Sequence, residues 1–548
     1  MKRLLPTLLA VFLAIPAGHA RTLAEAATQQ AKRLPVGCIV TGELLDGGKA
    51  SFAIAGKAPE AKGGPPEKWV FEIGSITKVF TGLLLAQAVV EKKVTLETTV
   101  AEVLGKDAQF ADPRVAAITL KQLSTHTSGL PRLPSNHAAG VAEDDPYANY
   151  DEKLLLAYIQ GEKLRGEGPY TCSYSNIGVG LLGYLLGRVY DSTWDKAMLE
   201  KVCRPLGLHD TAVTPPDGLV VATPNSGKKE VKPWHLAAVG GAGALRSTAA
   251  DMLRFGEAIL HPEKTPLDEA FAIALQPHAE APADGGHIGL GIFINKQDGE
   301  QTLHHDGGTG GYRSGLQVIP AKGIVRVALI NNDELGGSEV IAATSEAKAA
   351  AAKNLKEIAL PADQMKNYPG VYELDRDTRF TLVLHKGKLW LRLTGQAFLP
   401  MSAMAADRFF NTRVAAEVGF TRDKEQKIQS LTLYQHGREL TAKRKGDAPK
   451  VIMHTAEELA PYKGEYALMG MKKLWIEVRA STLFAKLEGQ EFMPVFQTAA
   501  DRFEYDVVEA ALVFTRDDNK NLTGLVLQQN GMTVTAPRVK PPPGGVAK

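Results

Sequence analysis

Residues 71–91 read FEIGSITKVFTGLLLAQAVVE. A short apolar segment ends at a glycine, and a long amphipathic run follows. That pattern predicts a helix opening at Ser75, with Ser75 and Lys78 in its first turn. Residues at i and i+3 share a helix face, so the ammonium group of Lys78 can approach the Ser75 hydroxyl. The positive potential of a helix N-terminus disfavours a charged lysine, and burial acts in the same direction. A neutral lysine can take a proton from a serine, and the same helix end offers backbone N–H groups to a developing oxyanion. Ser-x-x-Lys by itself carries little weight, since it recurs at Ser226–Lys229 and Ser345–Lys348. The first of these lies in a polar loop. The second lies on an Ala-rich segment predicted to be helical from Ser345 to Ile358. Neither opens an apolar helix after a strand.

Working outward, two further stretches carry chemistry. In TCSYSNIGVGLLGYLL, from Thr171, Tyr174 and Asn176 precede an apolar, Gly-dotted helix. A tyrosine phenolate beside a lysine can act as a general base, and an amide can bind a substrate carbonyl. A buried tyrosine with a helix-capping Ser or Asn is the plain alternative, and Tyr147 with Asn149 shows that Tyr-x-Asn also arises by accident. In LHHDGGTGGYRSGLQVIP, from Leu303, His305 and Gly307 begin a Gly-rich approach to an apolar strand, where a substrate backbone can lie along the strand edge. His287 with Gly289 is an accidental match to the same pattern. Phosphate binding needs a strand, loop and helix with a Lys or a ribose-binding acid, which this stretch lacks. His304 beside His305 has no partner at metal-ligand spacing.

The order of these elements is more telling than any one of them. Ser75–Lys78, then Tyr174–Asn176 about a hundred residues on, then His305–Gly307 near the domain end, resembles the serine β-lactamases and penicillin-binding proteins. The likeness is nearest to the branch that holds the large chromosomal β-lactamases, esterases and D-aminopeptidases. LSTHTSGLP from Leu123 and GGAGALRSTAADMLRF from Gly240 resemble its recurring segments, and the resemblance spans Val36 to Asn332. It implies Ser75 as nucleophile, Lys78 and Tyr174 as its proton acceptors, Asn176, His305, Gly307 and Gly308 as substrate-binding residues, and no metal or organic cofactor. One position departs from the pattern. Penicillin-processing members carry Lys-Thr-Gly where this chain has His305-Asp306-Gly307, and a histidine near neutral pH is mostly uncharged. That weakens the case for β-lactams or carboxy-terminal peptide ends as the main substrate, although Arg313 is a second source of positive charge. D-aminopeptidases of this kind have one catalytic domain followed by two β-barrels.

The C-terminal half carries an internal repeat. YPGVYEL at Tyr368 matches YKGEYAL at Tyr462, LTGQAFLP at Leu393 matches LEGQEFMP at Leu487, and FTRD occurs at Phe420 and Phe514. AADRFF at Ala405 and LTLYQHG at Leu431 have partners in the same register, and every offset is 94 residues. Five matches in one register mean a duplicated domain. Each copy is rich in short alternating segments punctuated by Gly, Asp and Asn, which predicts antiparallel strands closing into a small barrel. The expected organisation is a signal peptide over 1–20, an α/β (α+β) β-lactamase-like catalytic domain over 21–353, β-barrel repeats over 362–446 and 456–540, and a tail over 541–548.

The remaining features bound the function. The 548 residues exceed one compact domain. With 44% apolar and 23% charged residues and a net charge of +2, the chain is ordinary globular material with no basic stripe for nucleic acid. Lys2, Arg3, an apolar run and the small residues Gly18 and Ala20 read as a cleaved secretory signal, so a periplasmic or secreted enzyme is expected. No later stretch is long and apolar enough to span a membrane. Cys38, Cys172 and Cys203 are odd in number and read as buried apolar side chains. The expected function is acyl transfer from an amide or ester to water through an acyl-Ser75 intermediate, with D-amino-acid peptides or amides favoured. The rivals are a β-lactamase and a non-hydrolysing penicillin-binding sensor.

Overall fold

The segment GCIVTGEL, Gly37–Leu44, is a strand buried along nearly its whole length in the computed structural model, as in a sheet covered on both faces. The structure describes residues 21–539 apart from 46–47, 58–62, 106–107, 138–144, 282–285, 298–299, 345–354, 376–377, 412–415, 436–437, 469–471, 480, 489–491 and 530–531. The signal segment, the Ser345–Lys348 pair and the 541–548 tail lie outside the described residues. Within the expected Ser345–Ile358 helix, Leu355 to Ile358 are described and are not helical.

Eight antiparallel strands form the central sheet of the N-terminal part, in the order Ser51–Lys57, Gly37–Leu44, Ile324–Ile330, Arg313–Ile319, Glu300–Gly308, Phe293–Gln297, Gly286–Ile288 and Ala279–Ala281. The first strand in chain order, Gly37–Leu44, therefore lies beside the last, Ile324–Ile330, with Ile39 opposite Ile330. Period-two alternation sends Val40 into the main core with Phe80 and Phe255, whose rings stack at 3.9 Å, and Ile39 into a second core with Leu23 and Ala27 of the first helix. The helix Thr77–Val90 is apolar all round and accordingly buried along most of its length. It packs beside the helix Asn176–Val189. This is the mixed helix-and-sheet domain that the sequence predicts.

Strands Gly370–Glu373 through Arg438–Gly446 close into an eight-stranded antiparallel barrel. Strands Gly464–Leu468 through Met532–Pro537 form a second eight-stranded meander, brought close to closure by a bridge between Tyr466 and Arg538. The duplication extends to internal chemistry. Tyr372 donates to the carbonyl of Tyr368 at 2.8 Å, and Tyr466 donates to that of Tyr462 at 2.8 Å. Arg422 pairs with Asp407 at 2.8 Å, and Arg516 pairs with Asp501 at 2.8 Å. Cys38, Cys172 and Cys203 are all buried. Among the described residues no helix is long and apolar enough to cross a membrane.

Candidate active site

The site begins where the strand Phe71–Glu72 meets the helix Thr77–Val90. Ser75 occupies a 3-10 turn, Gly74–Ile76, immediately ahead of the α-helix, and Lys78 lies in the first α-helical turn. The serine is thus one short turn earlier than the sequence reading placed it, on the same helix end. Gly74 has φ +50°, and a Cβ there would fall 2.6 Å from the backbone nitrogen of Gly308. A Cβ on Gly307 would fall 1.9 Å from the carbonyl oxygen of Ile73. Only glycine permits this approach. It brings the edge of the strand Glu300–Gly308 directly onto the Ser75 turn, where Ser314 Oγ also donates to Ile73 O at 2.8 Å.

Lys78 is fully buried. Its Nζ donates to the carbonyl of Ala242 at 2.7 Å and lies 3.0 Å from Ser75 Oγ. Burial, reinforced by the nearby charge of Arg132, holds the Lys78 amine well below the usual lysine range. A neutral amine at this distance can accept the hydroxyl proton. The partner segment is fixed to the helix, since Thr81 donates to Gly241 O at 2.8 Å and Thr77 accepts from the N–H of Leu245.

Tyr174 sits on the other side of the lysine, its ring centroid 4.8 Å from Lys78 Nζ. Ser175 caps the following helix by accepting from Gly178 N–H at 2.9 Å, which places Asn176 at the helix start. Ser75, Tyr174, Asn176, His305, Gly307 and Gly308 all line one cleft, with Lys78 beneath its floor. The sequence-derived candidates therefore converge. Ser226 and Lys229 pair across a small hairpin, and His287 lies exposed on another strand; none of the three lines the cleft.

His305 is 2% exposed, and its Nδ1–H donates to the carbonyl of Asp306 at 2.6 Å. Burial, with a contribution from Lys78, holds its pKa down at about 3. The ring is neutral at physiological pH, and its Nε2 is an acceptor without a hydrogen-bond partner. It therefore differs in charge and polarity from the lysine that the related motif carries. His304 points to the opposite face of the strand, 2.9 Å from Asn295. Among the described residues no cluster of His, Cys, Asp and Glu could hold a metal ion.

The sequence reading missed several neighbours. Tyr147, set aside as part of an accidental motif, forms a wall of the cleft with Trp234 at 5.5 Å and hydrogen-bonds Asn176. Asp145 grips His235 at 2.7 Å beside it. Tyr147 and Trp234 make a narrow aromatic recess next to Ser75 with Tyr150, His137 and Leu236. His126 and Arg132 flank Tyr174, with separations of 4.5 Å between rings and 5.0 Å from guanidinium to ring. The segment LSTHTSGLP was legible as a recurring motif, but nothing in it shows which side chain turns toward the tyrosine.

Comparison with known proteins gives a consistent result. Residues 39–351 match the family model described as Beta-lactamase, a match that ends before the first barrel. The chain is 30% identical over 285 residues to Penicillin-binding protein 4 of Amycolatopsis lactamdurans, covering 48% of this chain and 72% of that protein. It is 25% identical over 312 residues to the D-alanyl-D-alanine-carboxypeptidase/endopeptidase AmpH of Escherichia coli (strain K12), covering 53% and 79%. A Beta-lactamase of Lysobacter lactamgenus is 26% identical over 307 residues, covering 53% and 72%.

Proposed function

The chain belongs to the Beta-lactamase family of serine hydrolases, and from that premise we propose that it hydrolyses amide or ester bonds through an acyl-Ser75 intermediate, with D-amino-acid peptides or amides as its favoured substrates. The observation that carries this reading is the buried Lys78 amine, 3.0 Å from Ser75 Oγ and held below its usual pKa. Ser75 Oγ attacks the carbonyl carbon, and its proton passes to Lys78 or Tyr174. The backbone N–H groups of Ser75 and Gly308 receive the oxyanion. Collapse breaks the bond to the leaving group, which takes a proton from the same pair. Water then repeats the sequence in reverse order, releasing the acid and restoring the Ser75 hydroxyl. Asn176 holds the substrate carbonyl or amide.

The neutral His305 favours this reading over a β-lactamase, because the strand offers an acceptor where that chemistry uses a permanent cation. The relative named as a carboxypeptidase/endopeptidase supports a peptide substrate. We also take the chain to be exported after cleavage behind Ala20, which amino-terminal sequencing of the mature protein tests. The substrate class is tested by one panel with Ser75→Ala as control: a D-alanine anilide, a D-Ala-D-Ala peptide, a short-chain aryl ester and a chromogenic cephalosporin. The proposal expects the D-alanine compounds or the ester to match or exceed the cephalosporin in kcat/KM. A clear preference for the cephalosporin favours the β-lactamase instead.

A further inference from the structure

If residue 305 supplies no cation, the charge of the cleft must come from elsewhere. Three charged residues line it: Arg132, Arg313 and Asp306. Arg313 is engaged locally, its Nη1 donating to the carbonyls of Thr309 at 2.7 Å and Tyr312 at 2.9 Å. Lys78 lies beneath the floor, committed to Ser75 and Ala242. Arg132 differs from both. Its side chain is exposed to the cleft, and among the described residues no carboxylate pairs with it. Its backbone is nonetheless fixed: its carbonyl accepts from Asn176 N–H at 3.0 Å, and the preceding carbonyl, of Pro131, accepts from Ser175 Oγ at 2.7 Å. The guanidinium lies 5.0 Å from the centre of the Tyr174 ring.

That position has a chemical meaning. The leaving atom must come within reach of Tyr174 or Lys78 to collect its proton, so a guanidinium against the Tyr174 ring stands on the leaving-group side of the scissile bond. A planar guanidinium binds a carboxylate through two parallel hydrogen bonds. We infer that Arg132 is the specificity residue that recognises a carboxylate on the leaving group, a charge moved from the strand at residue 305 to the loop that follows LSTHTSGLP. The inference rests on the acyl-Ser75 reading above. It narrows the substrates to those whose leaving group ends in a free carboxylate close to the scissile bond, such as a peptide cut before its last residue.

A matched pair of esters tests this: the phenyl and the 3-carboxyphenyl ester of one N-acyl-D-alanine, assayed with the full-length chain, Arg132→Gln, Arg132→Lys and Arg313→Gln. The readout is the ratio of the two kcat/KM values. In the unaltered enzyme the carboxylated ester is preferred by about ten- to a hundredfold, the size of a charge-assisted hydrogen-bonded pair. Arg132→Gln brings the ratio down about tenfold or more, Arg132→Lys recovers part of it, and Arg313→Gln keeps the preference. The inference is overturned if the unaltered enzyme shows no preference, if Arg132→Gln lowers both esters equally, or if the preference follows Arg313. Hydrolysis persisting in Ser75→Ala would instead remove the reading beneath it, so the two failures are distinct.

Discussion

The Nδ1 atom of His126 accepts a hydrogen bond from the backbone N–H of Ser175 at 3.2 Å, while the carbonyl of the same histidine accepts from Ser173 N–H at 2.8 Å. One residue thus holds both neighbours of Tyr174, and it does so from a left-handed backbone with φ +58°. The accepted bond fixes the ring as the Nε2–H tautomer. Burial, with smaller contributions from Lys78 and His305, keeps that ring neutral.

His126→Ala therefore removes an acceptor from a buried N–H and leaves a side chain in a backbone region it rarely adopts. The expected loss is about 1–3 kcal/mol of stability, with kcat falling roughly tenfold or more while KM changes little, because Tyr174 loses its placement. Asn tolerates the left-handed conformation and offers an acceptor of similar reach, so His126→Asn recovers most of both. Thermal unfolding and steady-state kinetics on the two variants decide this.

Burial of neutral histidines also sets a pH dependence of stability. In the unfolded chain His126 and His305 titrate near ~6.5. In the folded chain both are lowered, His305 to about 3. Above ~6.5 both states are neutral and the stability is fully present. As pH falls below that value the unfolded state binds protons that the folded state refuses, so stability is lost through the window down to about 3. Each histidine contributes on the order of 1 kcal/mol per pH unit in that window. The melting temperature should decline from pH 6.5 to 5 (roughly the upper part of the window), and His305→Gln should flatten the slope. An unchanged slope in that variant would contradict the neutral assignment.

Much of this was open to sequence reasoning, for physical reasons. The 94-residue register announces two barrels because duplicated cores keep their apolar positions, and Tyr368 and Tyr462 occupy the same place in each. Ser75 and Lys78 are legible because helix periodicity fixes their shared face. Arg132, His126 and Trp234 are not, because they sit on irregular segments whose direction is set by long-range contacts such as Asp145 with His235. At the described end of the expected Ser345–Ile358 helix, Leu355 to Ile358, the opposite failure occurs. Composition favoured a helix to Ile358, but Ile358 N–H bonds instead to the carbonyl of Ala403 in the first barrel, a tertiary contact that overrides propensity.

The two barrels are joined by a contact that the repeat does not duplicate. Arg392 of the first is buried against Asp506 of the second and lies 4.0 Å above the ring of Phe496, while the equivalent of Arg392 in the second barrel is Lys486. Asp506→Ala leaves a buried guanidinium unpaired, which should cost about 3–5 kcal/mol. The unfolding transition of the C-terminal half should move down while kcat/KM at Ser75 stays within a factor of about two, since surface and distant sites act independently. Calorimetry alongside an ester assay checks both parts.

Acylation of Ser75 is the step on which every other proposed role depends. The most direct measurement is intact mass and peptide mapping after rapid acid quench of the enzyme during turnover of an activated aryl ester. A single added acyl mass is expected on the peptide containing Ser75, lost with time as water releases it and absent, together with turnover, in Ser75→Ala. An adduct on another residue, or turnover persisting in Ser75→Ala, would contradict acylation of Ser75.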